Sequence, residues 1–284
     1  FLCDVDEFTG QMTPEKLIEC IKINKIKKIK AVITMYLGGS PQNVLEFYKL
    51  KKRYNFFLIE DSCHALGSSY KFKNRQIKIG SCLHSDISTF SLHPVKTITS
   101  GEGGFLSTNS KLLSRKFKLL RSHGIDRAKL SKRYWNYDVI FPSFNFRMSD
   151  LNASLAFSQV GKLNSFIQKR NSIANIYLNS FRDFQDRVKI YKSSLNLTSS
   201  YHLVIFSLNF KKLKINKDKF IKMLNKKNIF PQYHYIPIYK FSYYKFLKRG
   251  QQFKSSEKFY ESSISMPIYY DLSIKELMKV IKSV

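Results

Sequence analysis

The feature that most constrains this chain is an alternation, through its first half, of short apolar runs with segments of helical periodicity. That is the pattern of β-α units built around a mostly parallel sheet. Thr13-Pro14 reads as a helix start, with Thr as N-cap and Pro at the first helical position, and the helix continues to about Lys22. Lys30 to Leu37 reads as a strand broken by Gly38-Gly39-Ser40-Pro41. Asn43 to Tyr54 is helical in period, and Asn55 to Glu60 is a buried strand that runs into two acids, Glu60 and Asp61. Further strands are expected over Asp86 to Leu92 and Gly104 to Thr108, all in one sheet.

From Ser149 the pattern changes to long helices, one from Ser149 as N-cap to Gly161 and a second from Asn164 to about Phe181. A strand within Tyr201 to Phe210, a Lys-rich helix from Asn216 to Asn228 and a Gly-poor tail complete the chain. With 284 residues there is material for two cores. The expected division is a large α/β domain over residues 1–165 and a smaller α+β domain over 166–284.

No run approaches the roughly 18 consecutive apolar residues a membrane helix needs, and the opening FLCDVDEFTG has neither a basic nor an apolar leader region. The chain therefore reads as cytoplasmic. Cys3, Cys20, Cys63 and Cys82 show no CxxC spacing, so free thiols and no structural metal are expected. A net charge of +29 invites a nucleic-acid reading. Yet the basic residues run from Lys16 to Lys282 among 24 Phe and 17 Tyr, and no nucleic-acid motif accompanies them. A basic surface also suits an anionic, diphosphate-bearing substrate.

The stretch from Phe57 to Asn109 carries the chemistry. Asp61 stands just past the end of a buried strand, where open α/β sheets bind ligands. A carboxylate there can pair with a protonated pyridine nitrogen, and it can equally be a helix N-cap or a surface turn. His64, three residues on, is close enough to lie over such a ring, although a loop histidine is the plainer reading. Ser91, His93 and Lys96 follow the next strand, and Lys96 precedes Thr97-Ile98-Thr99-Ser100-Gly101-Glu102-Gly103-Gly104. A desolvated lysine in such a turn can act as a nucleophile toward a carbonyl, and the glycines let the backbone approach a ligand. In a chain this rich in lysine, only that setting singles Lys96 out.

EDSCHALGSSY followed by FSLHPVKTITSGEGG resembles the DegT/DnrJ/EryC1/StrS family of sugar aminotransferases. LRSHGI, FNFRMSDLNASLA, QYHYIPIY and SMPIYYDLS extend the resemblance, in order, over nearly the whole chain. It implies the fold type I architecture of pyridoxal phosphate (PLP) enzymes, with a mostly parallel large domain and a smaller α+β domain. It implies that Lys96 holds the cofactor covalently and acts as acid and base, that Asp61 pairs with the pyridine nitrogen, that His64 stacks on the ring and that Ser91 binds the cofactor phosphate. Asn145 would reach the partner's cofactor phosphate across a homodimer with shared active sites. The flanking Phe144 and Phe146 stand where the family carries tyrosines, so two hydroxyls are lost. His234 is similar to a position near the substrate sugar, and a packed histidine reads as well there. The resemblance looks closest to the branch that aminates C4 of a UDP-linked 4-keto-6-deoxy N-acetylhexose in pseudaminic acid synthesis, with glutamate as the implied donor. The lysine at position 96 argues against related dehydratases, in which histidine replaces it.

Phe1 falls in what reads as a strand running from Leu2 into an acidic turn at Asp6, so the chain is expected to open partway through the large domain. In the family, the first strands, a Gly-Ser/Thr turn at a helix N-terminus that binds the cofactor phosphate, and a dimerising arm precede this point. The expectation is therefore an incomplete large domain whose residues 1–284 alone bind PLP poorly. Two rival readings stay open here: a non-catalytic or split fragment that needs a missing N-terminal part, and a basic nucleic-acid-binding protein.

Overall fold

The computed structural model of the chain describes residues 1–127 and 135–284. In chain order the first part comprises α1 (Pro14–Ile23), β1 (Ala31–Met35), α2 (Val44–Tyr54), β2 (Phe57–Asp61), β3 (Ser69–Phe72), β4 (Arg75–Lys78), β5 (Ile87–Ser91) and β6 (Gly104–Ser107). Then come α3 (Lys111–Arg121), β7 (Ile125–Asp126), β8 (Asp138–Val139), α4 (Asp150–Val160) and α5 (Leu163–Ser180). The last part holds β9 (Val188–Ile190), β10 (Leu197–Thr198), β11 (Val204–Leu208), α6 (Phe210–Leu213), α7 (Lys217–Lys226), α8 (Lys254–Ser262), β12 (Ser263–Met266) and α9 (Ile274–Ile281).

The main sheet has the order β1-β2-β5-β6. Its first three strands are parallel, with Met35 opposite Asp61 and Asp61 opposite Thr89, so their C-terminal ends share one edge. β6 returns antiparallel to β5, Ser91 facing Gly104. The helix starts behave as read: the Thr13 hydroxyl accepts the Lys16 N–H at 3.3 Å, and Ser149 caps α4. α1 and α2 cover one face through a core of Leu17, Ile21, Val32, Phe47, Leu50, Phe56 and Leu58. Each such side chain contributes about 1.5–3 kcal/mol when removed from water.

One local expectation is corrected. Leu2 to Asp6 is irregular rather than a strand: Asp6 turns the chain by accepting the Thr9 N–H at 2.7 Å. A hairpin, β3-β4, was also unread. Its turn residues Lys73 and Asn74 both take positive φ, 46° and 62°, which suits a two-residue hairpin loop. The flanking strands are short and charged, so neither showed apolar alternation. β10 adds to this hairpin and ties it to the C-terminal half.

The second core lies between the antiparallel sheet β12-β11-β9 and helices α5, α7 and α9, around Tyr177, Phe206, Phe220, Leu224, Ile264 and Leu277. The division expected after residue 165 falls inside α5. Ile167 of that helix packs over Gly67, whereas Ile173, Ala174 and Tyr177 belong to the second core. Among the described residues no helix is long and apolar enough to cross a membrane.

Candidate active site

The shared C-terminal edge of β1, β2 and β5 places three turns side by side. Asp61 is the last residue of β2 and half-buried; its Oδ1 accepts the Cys63 N–H at 3.1 Å. No helix follows, so the capping alternative for Asp61 reduces to this one-turn contact. Strand alternation sends the neighbouring Glu60 to the other face. There its carboxylate accepts hydroxyls from Tyr36 at 2.6 Å and from Ser85 and Ser88 at 2.9 Å each, while burial pushes its pKa up. The two acids of one strand thus separate into a structural group and a group at the sheet edge.

Lys96 sits in the loop that joins β5 to β6. The loop is pinned at its base by Leu92 N–H to Gly103 O and Ser100 N–H to Leu92 O, each 2.9 Å, and by the Thr99 hydroxyl to Leu92 O at 2.8 Å. From α4, Asn152 donates to the carbonyls of Ser100 and Glu102, and the Gln159 side chain accepts the Thr99 N–H at 3.1 Å. Gly104 is required because a Cβ there would lie 2.5 Å from the Phe90 carbonyl oxygen. The Lys96 amine is half-buried, and burial holds its pKa below the ordinary lysine range against the opposing influence of Cys63 and Asp61. A larger share of free amine at neutral pH follows, which is what a nucleophile and proton carrier needs.

His64 is 2% exposed. Its Nδ1 accepts the Gly38 N–H at 3.3 Å, and Nε2 faces the Tyr235 hydroxyl at 3.5 Å. Burial, with the nearby Lys96 and His234, lowers its pKa to about 3, so the ring is neutral. The Gly38-Gly39 turn that ends β1 is therefore a wall of the site as well as a strand stop. The Gly39 carbonyl accepts the Ser68 hydroxyl at 2.6 Å, and Ser200 donates to the His64 carbonyl at 2.7 Å.

Asp61, His64, Lys96 and His234 are brought together. Asp61 acts electrostatically on Lys96, and Lys96 on both histidines. His234 is fixed by a 2.8 Å contact between Nδ1 and the Ser265 hydroxyl of β12. Ser91 ends β5, accepts the His93 N–H at 3.3 Å and presents its own backbone N–H to the Cys63 thiol. Asn145 is not part of this group. It is exposed, bridges to Ser122 and accepts the Arg147 N–H at 3.1 Å, and none of its contacts reaches Asp61, His64, Ser91 or Lys96.

The site also contains residues that the sequence did not single out. Cys63 lies beside Asp61 and Lys96, with burial and the Asp61 carboxylate pushing its thiol up to about 12. His202 packs against His64 with ring centroids 4.2 Å apart and the rings tilted by 40°. Tyr235 closes the His64 side. His202 carried no signal beyond a histidine ahead of an apolar strand; only the fold brings it to residue 64. Clefts of about 1190 Å³ beside Arg187 and Lys258 and of about 980 Å³ along β6 contain none of Asp61, His64 or Lys96.

Chemically, the edge offers an amine of lowered pKa, a carboxylate, a neutral imidazole 2% exposed but facing Lys96, and a serine at a strand end. This donor set fits a flat, phosphorylated heteroaromatic aldehyde: amine to aldehyde, carboxylate to ring nitrogen, imidazole to ring face and serine to phosphate.

The family model described as the DegT/DnrJ/EryC1/StrS aminotransferase family matches residues 1–284. A UDP-4-amino-4,6-dideoxy-N-acetyl-beta-L-altrosamine transaminase of Campylobacter jejuni is 36% identical over 266 residues, 92% of this chain and 66% of that protein. The chain thus spans about two thirds of that relative's length. The solved structure of PseC from Helicobacter pylori, an aminotransferase involved in the biosynthesis of pseudoaminic acid, superposes with a TM-score of 0.86 at 30% identity, over 100% of this chain and 72% of that one. A putative sugar aminotransferase of Streptococcus pneumoniae, Spr1654, has been solved in PLP and PMP forms. At 25% identity its PLP form gives a TM-score of 0.84, over 100% of this chain and 73% of that one.

Proposed function

This chain belongs to the DegT/DnrJ/EryC1/StrS aminotransferase family, and from that premise we propose that it carries the catalytic lysine of a PLP-dependent transamination of a nucleotide-linked keto sugar. The observation that carries the proposal is Lys96, an amine of lowered pKa beside Asp61 and His64 at the C-terminal edge of a parallel sheet. The similarity to the Campylobacter transaminase supports C4 of a UDP-4-keto-6-deoxy-N-acetylhexose as acceptor. Glutamate is the proposed donor, and the reaction is placed in the cytoplasm.

PLP, when bound, supplies an electron sink for the carbanion that forms when the donor loses its α-proton. Lys96 Nζ would hold the cofactor through its aldehyde carbon until an incoming amine displaces it, and the freed amine would then carry the donor carbon's proton to the cofactor and, in the return half-reaction, carry a proton from the cofactor to the sugar carbon. Asp61 holds a proton on the pyridine nitrogen by charge. His64, uncharged, covers one ring face without competing for that proton. The Ser91 hydroxyl is proposed to bind phosphate, and His234, close to Lys96, is proposed to meet the sugar. Asn145 is assigned to the cofactor phosphate of a partner subunit. Its exposure beside Phe144, Phe146, Leu151 and Phe157, which are 65% to 86% exposed, supports a homodimer.

The test is to titrate the full-length protein with PLP, follow the visible absorbance, and then assay conversion of glutamate to 2-oxoglutarate with the UDP-linked 4-keto sugar. Yellow protein that forms 2-oxoglutarate beyond one equivalent per site only when keto sugar is present supports the proposal. Donor turnover that ignores the sugar, or no PLP binding, contradicts it.

A further inference from the structure

We infer that His202 is a positioning residue that backs His64 and keeps its ring flat against the cofactor ring. The inference rests on the proposed PLP function. His202 is 7% exposed, and its ring lies on that of His64 at 4.2 Å with a tilt of 40°. Its Nδ1 is buried without a hydrogen-bond partner among the described residues. Burial, together with His64 and Lys96, keeps His202 uncharged, so the pair does not repel.

The backbone beneath His202 is held rigidly. The buried Arg170 guanidinium donates to the carbonyls of Tyr201, His202 and Ile268, each at 3.2 Å, and has no carboxylate partner among the described residues. On the other side, Gly39 packs so closely that a Cβ would come within 3.3 Å of the His202 nitrogen. His64 is thereby clamped between the Gly38 N–H on one side and the His202 ring on another. Both contacts restrict rotation of the His64 ring.

The experiment compares PLP affinity, bound-cofactor absorbance and apo-protein melting temperature for the wild type, His202→Ala, His202→Phe, His64→Ala and the alanine double variant. Loss of a stacked ring is expected to weaken PLP about fivefold to tenfold in His202→Ala and to move the absorbance maximum. His202→Phe keeps the ring and should stay within about threefold of wild type. In the His64→Ala background, His202→Ala should add little, because it acts through His64. Unchanged affinity in His202→Ala, equal losses in the Phe and Ala variants, or additive losses in the double variant would each overturn the inference alone. Wild-type protein that fails to bind PLP would overturn the proposed function and this inference together.

Discussion

His64 Nδ1 accepts the backbone N–H of Gly38 at 3.3 Å. An imidazole that accepts at Nδ1 carries its proton on Nε2 when neutral, which turns the donor side toward Tyr235 and leaves no charge over the ring-binding face. The end of β1 therefore sets the protonation pattern of a residue on the turn after β2. The sheet register makes this possible, because Met35 and Asp61 are opposite one another.

Acid should weaken the fold through this histidine and its neighbour. The folded pKa values of His64 and His202 are lowered to about 3 and about 2, below the ordinary histidine value, so the unfolded chain binds more protons between those values and about 6.5. Their contribution is fully present above that upper limit and is lost as pH falls. Each can cost about 1.4 kcal/mol per pH unit in that window. Urea midpoints at pH 7 and pH 5 should show the loss, and the His64→Gln/His202→Phe variant should show a flatter dependence. Equal slopes would contradict it.

Gly39→Ala should be strongly destabilising. Gly39 has φ +96°, and a Cβ would lie 2.3 Å from the Ser200 hydroxyl and 2.6 Å from the His64 carbonyl. A loss of about 2 kcal/mol or more is expected from the urea midpoint. Gly161→Ala is the control: nothing lies within 4 Å and its φ is −62°, so it should be neutral or stabilise by up to about 1 kcal/mol.

The legible and illegible parts of this molecule differ in how local their causes are. Thr13-Pro14, Ser149 and the apolar runs at Ala31–Met35 and Phe57–Asp61 declare themselves through caps and period, within a few residues. Asp61, Lys96 and the glycine turn were readable because they cluster at strand ends. His202 was not, since its role depends on a contact across 138 positions, from 64 to 202. The β3-β4 hairpin was hidden by exposed Lys and Arg on both of its short strands. The separation of Glu60 from Asp61 needed the knowledge of which face each takes.

Association should depend on α4. Leu151 and Phe157 are 86% and 82% exposed, close in sequence to the exposed Asn145. Leu151→Glu/Phe157→Glu should therefore shift the protein from dimer to monomer in light scattering at unchanged helix content. A wild-type monomer, or a variant that stays dimeric, would contradict the shared-site arrangement.

Asp61→Asn should keep the shape of the turn while removing the charge. PLP should still bind, because Asn can accept the Cys63 N–H as Asp61 does. Turnover should fall by on the order of a hundredfold or more, the size of effect seen when one preorganised electrostatic group is lost. Near-normal turnover would reduce Asp61 to a turn-capping residue.

Lys96 is the centre of the proposed chemistry, its amine held at lowered pKa by burial against the opposing influence of Cys63 and Asp61. The most direct measurement is borohydride reduction of the PLP-loaded protein, followed by digestion and mass mapping of the phosphopyridoxyl group. The account predicts one modified peptide, spanning His93 to Gly104 and carrying the group on Lys96 Nζ, with no fixed cofactor in Lys96→Ala. A phosphopyridoxyl group on any other lysine of the wild type, or undiminished labelling of Lys96→Ala, would contradict it.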